Sequence, residues 1–289
     1  MKDLYKDLAK LLPQDWGPKS QLAQYADKFR SDFEDAFSTY VLGLSNDSPS
    51  IFLLEKQRPL AEYFSRFTLN PSGQDLYSKL LSALCASEKI QRTIFGSLNY
   101  DCLLDQAAYR LFRTLPNYHC SRIDSETGVR IAKLHGSCNF VTQKITQVQK
   151  AITTSSRVSI DGEIEFLPPE DLERILKKKL NGADTIYPVM CQISHWKDNF
   201  YAPGKIQEIR NKWSEALETA AMVVVVGVSY NPNDWHVLEA IKKATPERLL
   251  YIGGNNDFDK WAETNGCAEH IEDTFEAGFQ RLMDAMGVQ

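Results

Sequence analysis

Three separated segments of this chain share one pattern, in which a short apolar run stops at a tight polar turn. They are Ile94-Phe95-Gly96-Ser97-Leu98-Asn99-Tyr100-Asp101, Ile131-Ala132-Lys133-Leu134-His135-Gly136-Ser137 and Val223-Val224-Val225-Val226-Gly227-Val228-Ser229-Tyr230. Short apolar runs bounded by turn residues predict buried strands. Helical patterns separate them, and strands alternating with helices predict a mainly parallel, Rossmann-like α/β sheet with helices on both faces. Ligands bind beyond the carboxyl ends of such strands, so Asn99, Asp101, His135, Gly227 and Ser229 are expected to line one cleft.

With 289 residues, 43% of them hydrophobic, the chain has enough apolar material for a substantial core, and one domain over 1–289 is expected. The net charge of -5 argues against adhesion to nucleic acid or to an anionic membrane, both of which need a basic face. Six cysteines are scattered with no CxxC pair, so no structural zinc is expected. No secretory signal and no apolar run near the roughly 20 residues of a membrane span is visible, so a cytoplasmic location with reduced thiols is expected.

The first 90 residues read as mostly helical. Leu4, Leu8, Leu11 and Leu12 stripe a helix stopped by Pro13; helical spacing continues over Leu22 to Phe37, over Phe52 to Phe67, and through Leu76, Leu80, Leu81 and Leu84. From Thr93 the pattern turns to strand, loop and helix, with Asp101 near the start of a helix carrying Leu103 to Leu111. Residues 138–200 fit an open parallel sheet poorly and are expected to form an inserted lid. Within it Val158 to Phe166 alternates around Asp161-Gly162 like a hairpin, and Pro168-Pro169-Glu170-Asp171 opens a helix to Leu180. Afterwards come a helix Ile206 to Ala221, a strand Met222 to Val226, a helix from Asp234 to Lys243, a strand Leu249 to Ile252, and a last helix from Phe275 capped by Thr274.

Each polar turn admits two readings. Asn99 and Asp101 suit a turn and a helix cap; equally, an amide can orient a water or a ribose hydroxyl, and a carboxylate can accept from a ribose diol. His135 ends a strand beside a glycine, where a ligand can approach and where an imidazole is a ready base. His119, His195, His236 and His270 read as surface or packing residues, with no pair at metal spacing. Gly227 and Ser229 suit a plain turn or a contact to a nucleotide phosphate or ribose, as does Ser97. Gly253-Gly254-Asn255-Asn256 reads as a flexible loop that either turns the chain or holds an adenosine. Neither a G-x-G-x-x-G fingerprint nor a P-loop is present.

Taken in order, these motifs resemble the sirtuin-like family of NAD-consuming proteins, in particular its bacterial branch without a zinc module. Asn99-Tyr100-Asp101 is similar to that family's asparagine-x-aspartate loop, Leu134-His135-Gly136 to its histidine motif, and Val226-Gly227-Val228-Ser229-Tyr230 to its late glycine-x-serine loop. Tyr187-Pro188-Val189-Met190 through Lys197 is similar to a stretch that precedes the late strand. The family's zinc cysteines and its opening glycine-rich strand-loop have no counterpart here, and the expectation is that the chain begins just inside the family domain, with Met1 to Lys6 following the missing loop. The resemblance implies NAD as substrate, hydrolysed to nicotinamide and ADP-ribose, with Asn99, Asp101 and His135 catalytic and Ser97, Gly227, Ser229 and Asn255 binding the nucleotide. It further implies a role in antiphage defence, with a homo-oligomer or an effector partner. A noncatalytic NAD or ADP-ribose sensor and an NAD-dependent protein deacylase are the alternative readings.

Overall fold

The computed structural model describes residues 4–11, 13–20, 22–31, 33–42, 49–120, 128–142, 147–150, 158–180, 187–191 and 201–288. The strands are β1 Ile94–Ser97, β2 Arg130–Lys133, β3 Gly136–Thr142, β4 Gln147–Lys150, β5 Val158–Asp161, β6 Ile164–Phe166, β7 Tyr187–Met190, β8 Met222–Val226, β9 Arg248–Ile252 and β10 Ala268–Glu272. The helices are α1 Leu4–Leu11, α2 Pro13–Trp16, α3 Ala26–Ser31, α4 Phe33–Leu42, α5 Pro49–Ser65, α6 Leu76–Ala86, α7 Leu103–Phe112, α8 Leu172–Leu180, α9 Pro203–Leu217, α10 Trp235–Ala244, α11 Asn255–Thr264 and α12 Phe275–Ala285. The fold is α/β with a helical amino-terminal region. Two compact units divide the chain: one comprises Met1–Thr68, Leu98–Cys102 and Lys133–Gln207, the other Leu69–Ser97, Leu103–Ala132 and Glu208–Gln289. Among the described residues no helix is long and apolar enough to cross a membrane.

The first unit is built on an aromatic and leucine core. Leu4 and Leu8, four apart on α1, are both buried, and Tyr5 stacks on Phe29 at 5.2 Å while Trp16 meets Phe29 edge-on at 5.8 Å. The stripe from Leu22 to Phe37 buries as expected, but it is not one helix: a 3-10 turn over Ala23–Tyr25 leads into α3, and α4 follows separately. Apolar spacing reports which face is covered, and it is blind to whether the backbone hydrogen bonds run on unbroken. Helix α5 packs on β3 and β7, where the Gln57 amide donates to the Met190 carbonyl at 2.8 Å.

Strand β3 is the centre of an antiparallel sheet in the order β6-β3-β7, and β4 pairs antiparallel with β5. This corrects the expected Val158–Phe166 hairpin. Its two arms exist as β5 and β6 but pair with different strands, so Asp161-Gly162 links two sheets. The physical reason is the apolar demand of β6: Phe166 packs edge-on against Phe140 at 4.7 Å, and Leu167 and Asn139 exchange main-chain and amide hydrogen bonds.

In the second unit β8, β9 and β10 form a parallel sheet in sequence order, with Val223 opposite Leu249 and Val226 opposite Ile252. Alternation along β9 sends neighbours to opposite faces. Leu250 and Ile252 join Ile271 and Leu282 beneath α12, while Tyr251 meets Phe258 and Trp261 of α11 on the other face. Helix α11 and strand β10 are elements the sequence reading lacks. Asn255 and Asn256, expected in a flexible loop, instead open α11, with Gly254 as its extended N-cap residue. Strands β1 and β2 form a separate two-stranded sheet, and Gly96 in β1 lies so close to the Trp213 indole that a Cβ would sit 2.7 Å from its Nε1.

Candidate functional site

In the first unit the turn carrying Asn99, Tyr100 and Asp101 is bonded to the corner carrying His135. The Cys138 N–H donates to the Tyr100 carbonyl at 2.9 Å, the Ser137 hydroxyl donates to the same oxygen at 3.3 Å, and the Lys133 ammonium donates to the Asp101 carbonyl at 2.5 Å. The Tyr100 ring lies 6.2 Å from the His135 imidazole at a 35° tilt, and its hydroxyl donates to the Cys191 carbonyl at 3.3 Å. Two stretches more than thirty residues apart thus share one hydrogen-bonded knot.

Local sequence makes this geometry possible. Gly136 has φ +73, a left-handed conformation, and a Cβ there would sit 2.1 Å from the Val189 carbonyl oxygen, so the corner that follows His135 requires glycine. The His135 carbonyl accepts from the Cys191 N–H at 2.7 Å, which fixes the backbone that carries the imidazole. His135 itself is 3% exposed, Asp101 is half-buried and Asn99 is exposed. The imidazole is thus buried beside the Tyr100 ring, while Asp101 and Asn99 in the bonded turn are more open to solvent.

The remaining expected site residues belong to the second unit. Ser97 ends β1 and is half-buried; Gly227 and Ser229 follow β8 and are exposed; Asn255 is exposed at the first turn of α11. Gly227 has φ +64, and nothing lies within 4 Å of a Cβ built on it. Its N–H is committed to the Ile252 carbonyl at 2.8 Å, and the Tyr230 N–H to the Asp257 carboxylate at 3.1 Å. The Val228 carbonyl accepts from the Tyr251 hydroxyl and the Trp261 indole, so this loop is held in place by its own unit. Of the other histidines, His270 packs on Phe258 and bonds the Gly253 carbonyl at 2.8 Å, as expected of a packing residue; His195 lies outside the described residues.

Sequence reasoning missed Lys133. It is 1% exposed, and a buried ammonium is costly unless hydrogen-bonded; its bond to the Asp101 carbonyl adds to those that hold the turn. A signal was present: a lysine inside an apolar run, where a charge needs a partner. An open, mostly apolar groove of about 490 Å³ lies in the second unit, lined by Lys79, Ala83, Phe279 and Met283 among others, and includes none of the candidate residues.

No family model matches the sequence, and no curated protein matches it. Among solved structures the chain is similar to Sir2Tm bound to a propionylated peptide, with 14% identity, a TM-score of 0.45, and 88% of this chain and 90% of that chain covered. It is also similar to a sirtuin structure concerned with substrate affinity, at 15% identity and a TM-score of 0.43 over 88% of this chain and 90% of the other. A third similar structure is a Sir2 variant with a deacetylated p53 peptide and 3′-O-acetyl ADP ribose, at 13% identity and a TM-score of 0.43 over 86% and 84% of the two chains.

Proposed function

We propose that the knot of Asn99, Tyr100, Asp101 and His135 is the ribose-handling part of an NAD glycohydrolase site. The observation that carries the reading is the set of hydrogen bonds tying the Asn99–Asp101 turn to the His135–Cys138 corner, which joins the two motifs most closely tied to ribose chemistry. In the proposed reaction the bond between the nicotinamide nitrogen and the anomeric carbon breaks, and its electron pair leaves with nicotinamide. A water oxygen bonds to the anomeric carbon and its proton passes to the His135 imidazole. Asn99 orients that water, and Asp101 accepts hydrogen bonds from the ribose hydroxyls, so that the sugar is held rigidly while positive charge develops on it.

The test is nicotinamide release from NAD, with calorimetric titration of ADP-ribose alongside. His135→Ala and Asn99→Ala are each expected to lower release by about 100-fold or more, the exposed Asn99→Ala leaving the melting curve in place and the buried His135→Ala still unfolding cooperatively. Turnover that survives both substitutions ends the assignment. Binding of ADP-ribose with no release by the unaltered protein assigns the site to a nucleotide sensor instead.

A further inference from the structure

Two thiols lie inside the knot just described. The Cys102 and Cys138 sulfurs are 3.6 Å apart, with the residues 1% and 0% exposed, and the Ser137 hydroxyl is 3.6 Å from the Cys102 sulfur. Cys102 is the residue after Asp101, and Cys138 is the residue whose N–H bonds the Tyr100 carbonyl. That bond ties the turn to β3 next to the two thiols. A disulfide has an S–S length of about 2.05 Å, so about 1.5 Å of approach separates this pair from a bond.

We propose that Cys102 and Cys138 are a reversible dithiol–disulfide site, oxidised by hydroperoxides, that controls the Asn99–Cys102 turn. One thiolate attacks the peroxide, an S–O bond forms as the O–O bond breaks, and the hydroxide released takes up a proton as water. The second sulfur, losing its proton, attacks the sulfenic sulfur; the S–S bond forms, the S–O bond breaks, and a second water departs. Two thiols and one hydrogen peroxide become one disulfide and two waters, the sulfurs giving up two electrons to the peroxide oxygens. A small-molecule dithiol reverses the step. Nearby cysteines are differently placed: Cys191 faces the Tyr100 hydroxyl at 3.5 Å, and Cys120 belongs to the second unit.

Both thiols are covered, so oxidation waits on opening of the turn, and a ligand that holds the turn closed slows it. Once formed, the bond draws Cys102 toward β3 and moves the adjoining Asp101 and Tyr100. The consequence for nucleotide affinity rests on the function proposed above; the chemistry of the pair does not.

The test treats the full chain with hydrogen peroxide, blocks remaining thiols with N-ethylmaleimide, and maps tryptic peptides without reductant. Residues 93–110 and 134–144, which hold Cys102 and Cys138, are expected to appear cross-linked and to separate with dithiothreitol. Both thiols alkylated, oxidised singly to sulfinic acid, or joined to other cysteines overturns the proposal. Calorimetry with ADP-ribose then compares the oxidised and reduced protein, with about tenfold weaker binding expected after oxidation and no effect of peroxide on Cys102→Ala. Equal affinity in the presence of the cross-link overturns control of the turn. Binding in neither form, with the cross-link formed, overturns the nucleotide reading of the site and supports the thiol pair as chemistry of its own.

Discussion

Gly136 and Gly227 share a left-handed backbone, yet the space around them differs completely. A Cβ on Gly136 meets a carbonyl oxygen at 2.1 Å, whereas one on Gly227 meets nothing within 4 Å. The left-handed conformation by itself costs a non-glycine residue about 1–2 kcal/mol, and a clash with main chain adds to that. Gly227→Ala is therefore expected to lower stability by about 1 kcal/mol and Gly136→Ala by more than twice as much, read from denaturant unfolding curves. Equal losses would mean that the corner after His135 is softer than its packing implies. Both glycines were legible in the sequence as turn residues. Which of them is sterically indispensable depends on Val189, more than fifty positions away, and no local pattern carries that information. Lys133 shows the converse, since its place in an apolar run was visible but its bond to the Asp101 carbonyl was not.

At the scale of elements, capping and periodicity served well where the signal was dense. Thr274 caps α12 as expected, its hydroxyl accepting from the Ala277 N–H at 3.3 Å. Thr274→Ala should cost about 1 kcal/mol, seen as a lowered melting temperature, and Thr274→Ser should restore most of it. No loss in the alanine variant would show that the α12 docking on Leu250, Ile252 and Ile271 dominates the helix end. Strand β8 spans Met222–Val226, as expected. Helix α11 was illegible because only Phe258, Trp261 and Ala262 supply apolar surface along it, and two leading asparagines and two glycines read as loop. Tyr251, against which both aromatic rings pack, supplies the missing half of the amphipathic pattern from another element. The β5–β6 hairpin failed for the same reason in reverse: alternation identified two strands, and tertiary partners chose their pairings.

Stability of the molecule depends on pH through one buried thiol. Burial pushes the Cys120 thiol up from about 9 to about 12, with Arg130 and Lys212 opposing weakly. Between those values the unfolded chain releases this proton and the folded chain keeps it, so stability is intact below about pH 9 and falls as pH rises toward 12, by up to about 1.4 kcal/mol per pH unit from this group. Unfolding free energies measured across that window should fall less steeply in Cys120→Ala; identical slopes would place the thiol in contact with water. By itself the sequence determined the alternation of strands and helices, the helical amino-terminal region and the turns that carry Asn99, Asp101 and His135, because these follow from apolar spacing and from the conformational freedom of a few turn residues. Only the tertiary structure decided that the Asn99 turn and the His135 corner are knotted together in the first unit, that Lys133 bonds the Asp101 carbonyl, and that two cysteines 36 positions apart touch beneath them. The reason is physical: hydrogen bonds and packing between distant stretches depend on where folded backbones come to rest, which local propensity along the chain does not encode.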